Sequence, residues 1–172
     1  MSGRLLFAAA AAALAIGVAG CSFHPLFATN DSAPGGQQVF HSIYVDPIEA
    51  ERAGYELRNS LTDLLRGPAH QTDALYRLKV AVKQTIEGTA VQTNGDITRY
   101  TYTMVADYSL SSIKTGTEIT KGSETSVTGY DVVASPYATL VTQQDAQKFA
   151  AHDIADRIRI DLGVWFLKNK GA

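Results

Sequence analysis

The side chains that most often catalyse reactions or bind metals are few and scattered in this sequence. The four histidines, His24, His41, His70 and His152, have no histidine partner at helical spacing and no Cys-x-x-Cys pair beside them. Zinc sites and related metal centres depend on such spacings. No nucleophile elbow, Walker loop or dinucleotide fingerprint occurs either. We therefore predict neither an enzyme nor a protein that binds a metal or a cofactor.

A group of charged residues near the C-terminus does not indicate a catalytic or metal site either. Asp153, Asp156 and Asp161 alternate with Arg157 and Arg159 in a segment with helical periodicity. Residues four apart are neighbours on a helix, so Asp153 and Arg157 can form an ion pair. We interpret these residues as the solvated face of a helix.

Cys21 is the one residue that indicates a defined chemistry, because it is the only cysteine in the chain. It follows a charged start at Arg4, an apolar run and the small residues Ala19 and Gly20, which together are the parts of a secretory signal. The uncharged stretch is shorter than the roughly 20 residues that a membrane-spanning helix needs. We predict that residues 1–20 are removed on export, and that Cys21 carries diacylglycerol and a fatty acyl chain such as palmitate. Several acyl chains anchor a protein stably to a membrane.

Length and charge restrict the mature protein further. Removing residues 1–20 leaves 152 residues, of which 14 are basic and 17 acidic, so the net charge is −3. This length suits a single domain. A nucleic-acid-binding protein would be strongly basic, so we predict no nucleic-acid partner.

The pattern along the mature chain predicts a lipidated tether over residues 21–38 and one domain over residues 39–172. Residues 29–38 are polar and rich in glycine and proline, with no strand or helix period. A first strand is predicted from Val39 to Asp46, because β-branched and aromatic residues there end at a proline. A helix follows from Glu49 to Arg66, with Leu57, Leu61 and Leu65 among its apolar stripe.

The middle of the chain predicts a three-stranded meander. Apolar and polar residues alternate strictly from Tyr76 to Ile86 and again from Tyr100 to Leu110, with Asn94-Gly95 as a hairpin turn between them. A turn at 114–117 leads to a Thr- and Ser-rich edge strand from Glu118 to Gly129. Tyr100, Tyr102 and Tyr108 could form a ligand platform, but packing beneath the helices is the better interpretation.

A last helix is predicted from Gln143 to Leu167 after a loop at 129–137, capped by Thr142, with Ala150, Ile154 and Ile158 in its apolar stripe. The order β-α-β-β-β-α then gives an α+β fold. In this two-layer fold, a four-stranded mixed sheet carries two amphipathic helices on one face. The first two strands should be parallel or separated by another strand.

Several stretches of this sequence resemble the LPS-assembly lipoprotein family LptE, particularly its alphaproteobacterial branch. The resemblance covers nearly the whole mature chain. The stretches are the segment Cys21–Phe27 around the lipidation site, Arg52–Leu61 in the first helix, Tyr76–Leu78, Thr98–Tyr100 and Ala106–Tyr108 in the meander, and Ala134–Ala138 before the last helix.

The resemblance implies an outer-membrane lipoprotein on the periplasmic side. It would sit in the lumen of the β-barrel LptD as a plug and assembly factor, and assist the insertion of lipopolysaccharide into the outer leaflet. The five cations on the sheet face that the helices leave uncovered are then candidate contacts to lipopolysaccharide or to the barrel. They are Arg77, Lys79, Lys83, Arg99 and Lys121. In the enterobacterial branch a basic residue precedes the Asn-Gly turn, whereas this chain has Thr93, so that residue's role is not transferred; Arg99 is a candidate substitute.

Two alternatives remain open from the sequence. The uncovered cationic face can be an ordinary solvated sheet surface, which is the commoner case. The protein can also be a free-standing periplasmic module that binds a glycolipid or another amphiphile between sheet and helices. That module would need no barrel partner.

Overall fold

The computed structural model describes residues 36–66, 74–91, 93 and 96–169. The predicted signal segment, the lipidation site Cys21 and most of the predicted tether lie outside these residues. The elements, in chain order, are α1 (Gly36–His41), β1 (Ile43–Val45), α2 (Glu51–Arg66), β2 (Tyr76–Val91), β3 (Ile97–Ser112), β4 (Glu118–Asp131) and α3 (Pro136–Lys168).

The four strands form one mixed sheet in the order β1-β2-β3-β4. β1 is parallel to β2, while β2, β3 and β4 pair antiparallel as a meander. The parallel pair follows from α2, which carries the chain back before β2 begins. The predicted α+β fold with a four-stranded mixed sheet is therefore confirmed. The Asn94-Gly95 turn lies outside the described residues, but the strands on either side of it pair as predicted.

The sheet has one covered face, and the core lies between that face and the helices α2 and α3. Alternate side chains of β3, from Tyr102 to Leu110, turn toward the helices and are buried. Leu57 and Leu61 of α2 and Ile154 and Ile158 of α3 meet them with no exposed surface. Apolar area is thus removed from water on both sides of one layer boundary, which is the main stabilising term for such a domain.

The three tyrosines pack within the domain, as we predicted. Tyr102 is fully buried and Tyr108 is 6% exposed. Tyr100 is half-buried and stacks on Tyr130 with a ring-centroid distance of 5.5 Å. The alternative of a ligand platform is therefore not supported, because these rings pack within the domain.

The first predicted strand differs from the structure. Val39, Phe40 and His41 belong to α1, and β1 has only three residues, Ile43–Val45. The helical turn directs Phe40 inward, where it is 4% exposed and meets Phe166 of α3 edge-on at 6.3 Å. Residues 36–38, which we assigned to the tether, also belong to α1. Burial of Phe40 against a distant helix thus outweighs the local strand propensity.

The last helix begins seven residues before the predicted start. It runs from Pro136 to Lys168, with Ser135 as the N-cap, whose side chain accepts a hydrogen bond from the Ala138 backbone N–H. Proline is favoured at the first helical position because its missing N–H has no intrahelical partner there. We had placed Pro136 in a loop and the cap at Thr142, and both assignments were wrong.

The far half of β2 is exposed on both faces. Leu78 is buried, whereas Gln84 and Ile86, which the alternation predicted to face the core, are exposed, Ile86 to 43%. Ile86 and the neighbouring Ile97 therefore lie on a part of the β2–β3 hairpin that the helices leave open to solvent.

Candidate functional site

The five candidate cations all lie on the sheet face opposite the helices. Successive residues of a strand point to opposite faces. The odd-numbered residues of β2 and β3 therefore share one face, while the even-numbered residues, which are buried where the helices reach them, share the other. The strand register extends the open face to β4, where Lys121 lies opposite Ser109, which in turn lies opposite Lys79. We call this surface the open face; its cations are Arg77, Lys79, Lys83, Arg99 and Lys121.

The structure brings three of these cations together and places two apart. Arg77, Lys79 and Lys121 lie toward the end where β2 begins, within two residues of one another along the strands. Lys83 lies four residues beyond Lys79, about 13 Å by the strand rise per residue, and Arg99 lies about 20 Å farther toward the hairpin end. Arg99 is therefore far from Lys79 and Lys121.

The open face is mixed in charge rather than purely cationic. Arg77 pairs with Asp46 at 3.7 Å, Lys83 with Asp107 at 3.9 Å, Arg99 with Asp131 at 2.9 Å, and Lys121 with Glu118 at 3.2 Å. Exposed pairs of this kind contribute little to stability. Within the described ranges, no carboxylate lies within ion-pair distance of Lys79. Lys79 is thus the most available positive charge on the open face.

A shallow depression of about 550 Å³ lies between Lys79 and Lys121. Its floor includes Asp107 and Ser109, and Ser123 donates a hydrogen bond to Asp107 at 2.7 Å. The Asp107 carboxylate is thereby partly satisfied within the chain. Lys79 and Lys121 lie on either side of it, and Lys121, although it pairs with Glu118 at 3.2 Å, keeps 75% of its side chain exposed. Such an arrangement can hold phosphate oxygens or acidic groups through charge-assisted hydrogen bonds.

A second depression, of about 610 Å³, lies between the end of β4 and the first half of α3. Thr128 and Tyr130 line one side, and Ala146 and the 66%-exposed ring of Phe149 line the other. Sequence reasoning missed it because the packing of α3 against the end of β4 joins distant segments of the chain, which no local pattern specifies.

The acidic residues of α3 are closer to the sheet than we predicted. The Tyr108 hydroxyl donates a hydrogen bond to Asp161 Oδ2 at 3.0 Å, so Asp161 is not simply solvated. The predicted Asp153–Arg157 pair is confirmed at 3.0 Å. Burial acts to raise the pKa of Asp153, but hydrogen bonds from Ser126 and Arg157, with the charge of Arg157, outweigh it and hold that pKa below its ordinary value.

No group of three or more His, Cys, Asp or Glu side chains in the described part of the chain is arranged to hold a metal ion. Cys21, His24 and His70 lie outside those residues. Among the helices that the structure describes, none is long and apolar enough to cross a bilayer.

Comparison with known proteins identifies the family that this sequence matches. The sequence model of the lipopolysaccharide-assembly family LptE matches residues 40–162. The structure is similar to that of a protein from Caulobacter crescentus described as a lipoprotein, with 28% identity, a TM-score of 0.65, and coverage of 76% of this chain and 95% of that one. Rare lipoprotein B from Shewanella oneidensis shares the fold at 14% identity and a TM-score of 0.57, over 74% of this chain and 99% of that one. The search of proteins with curated functions finds no match.

Proposed function

We propose, because this chain belongs to the LptE family of lipopolysaccharide-assembly proteins, that it plugs an outer-membrane β-barrel of the LptD type and assists its assembly. The family assignment gives a lipoprotein with a role in lipopolysaccharide assembly. The barrel partner, the outer membrane as its location and a purely non-enzymatic action are our proposals.

The observation that carries the barrel proposal is the open face. A sheet with helices on one side exposes its other side, and here that side carries paired charges and the hydroxyls of Ser109 and Ser123. Barrel interiors are polar and lined by alternating side chains. A polar, mixed-charge sheet face is therefore complementary to a barrel lumen, whereas an apolar face would favour contact with lipid tails.

Lipopolysaccharide itself is the second partner in this proposal. Its lipid A phosphates carry negative charge, and the depression between Lys79 and Lys121 offers two exposed ammonium groups with serine hydroxyls between them. Lysine binds phosphate as a point charge. We therefore assign the phosphate contact to Lys79 and Lys121, which border the same depression, in preference to Arg99, which lies at the other end of the open face.

A site-specific crosslink tests the barrel contact. A photoreactive amino acid at Lys79 should capture a β-barrel in intact cells, while the same group at Lys148 on α3 should capture much less of it. Both positions are exposed, so accessibility is matched. Capture of soluble proteins alone from position 79, or equal capture from both positions, would contradict contact through the open face.

The lipid anchor on Cys21 is tested separately. Cys21→Ala should move the protein from the membrane fraction to the soluble periplasmic fraction without changing its unfolding curve, because the described domain begins at Gly36, downstream of the lipidation site. Several acyl chains are needed for stable anchoring, so loss of the acylated thiol should be sufficient for release. Membrane association that persists in this variant would show that another segment provides the anchor.

The alternative of a free-standing glycolipid-binding module is less well supported. The space between sheet and helices is filled by side chains without exposed surface, including Leu61, Met104 and Ile158. An amphiphile could enter there only by separating the two layers. Binding of a lipid to the isolated monomer, with displacement of these side chains, would favour that alternative.

Depletion of the protein in its native cell tests the whole proposal. We expect immature barrel to accumulate and surface lipopolysaccharide to fall together. Normal barrel maturation with normal surface lipopolysaccharide would contradict it.

A further inference from the structure

The second depression, between β4 and α3, lies beside a strand edge that has no partner strand in the described part of the chain. β4 is the last strand of the sheet. The Val132 backbone N–H donates to the Thr98 carbonyl, so the even-numbered residues at this end of β4 turn toward β3 and the odd-numbered residues turn outward. The backbone N–H and C=O groups of Val127 and Gly129 therefore point away from the sheet, and Gly129 lines the depression. We call this depression the edge groove.

The strand edge beside the groove lacks the features by which proteins usually prevent pairing with other chains. Bulges, prolines and lysines are the common ones. The register of β4 against β3 is unbroken from Thr120 to Asp131, and β4 contains no proline. Its single lysine, Lys121, lies eight residues before Gly129, about 26 Å away by the strand rise per residue. This part of β4 is therefore open to an added strand.

The helix side of the edge groove offers an apolar contact and a negative charge. The Phe149 ring is 66% exposed and lines the groove together with Ala146 and Tyr130. Asp145 lines the same groove and is exposed, and no cation of the described residues lies within ion-pair distance of it. The Thr128 hydroxyl donates to the Ala146 carbonyl at 3.4 Å, which joins the strand side of the groove to the helix side.

We propose that the edge groove binds an extended polypeptide segment of another protein, which pairs with β4 as a fifth strand and carries an apolar residue and a lysine or arginine two positions apart. Phe149 and Asp145 are four residues apart on α3, about 6 Å along the helix. Side chains two positions apart on a strand point to the same face and are about 6.7 Å apart. The apolar side chain thus lies against Phe149 while the cation pairs with Asp145. In this mode of recognition, main-chain hydrogen bonds provide affinity and side-chain contacts provide specificity.

The charge of the edge groove distinguishes its ligand from that of the open face. Asp131, the other acid that lines the groove, pairs with Arg99 at 2.9 Å, so Asp145 is the charge left for a ligand. Both acids repel a phosphate group, because like charges disfavour each other. The groove therefore suits a cationic polypeptide and does not suit lipid A. This inference does not depend on the barrel proposal.

Binding of a synthetic peptide to the full-length protein tests the proposal. The probe is a short peptide with blocked ends, in which a leucine and a lysine two positions apart alternate with threonines, and calorimetry measures its affinity. We expect saturable binding. Methylation of alternate backbone amides along one edge of the peptide should abolish binding, because those N–H groups pair with β4, whereas methylation along the opposite edge should leave it unchanged. Absence of saturable binding, or equal effects of the two methylations, would overturn the proposal.

Charge reversal identifies the site. Asp145→Lys should weaken binding of the lysine peptide by about tenfold, because an exposed attraction becomes a repulsion, and should restore binding of a peptide with glutamate in place of lysine. Asp63→Lys is the matched control, since Asp63 is exposed on α2 and undergoes the same change of charge. It should bind the lysine peptide like the wild type, and equal affinities of the two variants would overturn the proposal. Should Asp145→Lys fail to fold, the two methylated peptides still decide, because they leave the protein unchanged.

Sedimentation of the wild type tests the other possible occupant of this edge, a second copy of the chain. We expect a monomer at the concentrations used for calorimetry. A dimer that the peptide does not dissociate would show that β4 pairs with itself, and would also overturn the proposal.

Discussion

Leu61 is the residue that tests the packing of α2 most directly. It has no exposed surface and lies on the buried side of the helix with Leu57 and Leu65. Leu61→Ala should lower the free energy of unfolding by about 2–5 kcal/mol, because burial is lost and a cavity is left. Urea unfolding measures the change. Tyr55→Ala, on the opposite side of the helix, is the control and should change stability by no more than about 0.5 kcal/mol. Equal losses would show that the orientation of α2 is wrong.

Tyr102 gives a second prediction for a single residue. Burial raises its pKa to about 12, and its hydroxyl donates to Gln84 Oε1 at 2.9 Å. The stabilisation is present below the ordinary pKa of 10.0 and is lost as the pH rises through about 12, because the unfolded chain ionises first. Absorbance of the phenolate should therefore show tyrosines that ionise late, and Tyr102→Phe should lower the amplitude of that step by one tyrosine, leaving Tyr108, whose pKa burial also raises. A titration unchanged by this substitution would contradict the assignment.

At the scale of elements, the start of α3 distinguishes the structure from the sequence-based prediction. Ser135→Ala should lower the free energy of unfolding by about 1 kcal/mol, the usual cost of losing an N-cap side chain. Thr142 lies within the helix and its hydroxyl donates to the Thr139 carbonyl, so Thr142→Ala should cost less. Chemical denaturation of both variants measures the two losses in free energy of unfolding. A larger loss for Thr142→Ala would favour the later start that the sequence pattern suggested.

The elements that could be predicted are those whose signal is local. The alternation in β3 and the leucine spacing in α2 are each contained within one segment, and both elements were confirmed. Phe40 could not be assigned in this way, because its place in α1 depends on Phe166, far along the chain. The exposed end of β2 around Ile86 is a similar case, since its burial depends on how far the helices reach.

The candidate site, too, could be predicted only where the signal lies within one segment of the chain. Alternation predicts that Lys79 and Lys83 share the open face, and the structure places them there. The register between strands decides which acid meets which cation. Asp107 therefore emerged as the partner of Lys83 only once β2 and β3 were paired, at 3.9 Å. The hydrogen bond from Tyr108 to Asp161 likewise depends on where α3 crosses the sheet, which no local pattern specifies.

At the scale of the whole molecule, the open face is a surface where substitutions should affect function without affecting folding. Its cations are exposed, and exposed ion pairs are worth at most about 1 kcal/mol. Charge reversal there should consequently leave the fold intact while altering the surface that we propose meets the barrel and lipopolysaccharide. A defect in assembly without a defect in stability is the signature that a contact surface should give and a core residue should not.

Lys79→Glu is the variant that tests this most sharply, because Lys79 has no carboxylate partner within the described residues and borders the depression shared with Lys121. Barrel maturation and surface lipopolysaccharide should fall, while the urea midpoint stays within error of the wild type. Lys114→Glu makes the same charge change in the exposed turn after β3 and should affect neither. Arg99→Glu breaks the pair with Asp131 at the other end of the face, and should have a weaker effect than Lys79→Glu if phosphate binds in the depression. Full activity of Lys79→Glu at normal stability would reduce the open face to an ordinary solvated sheet surface.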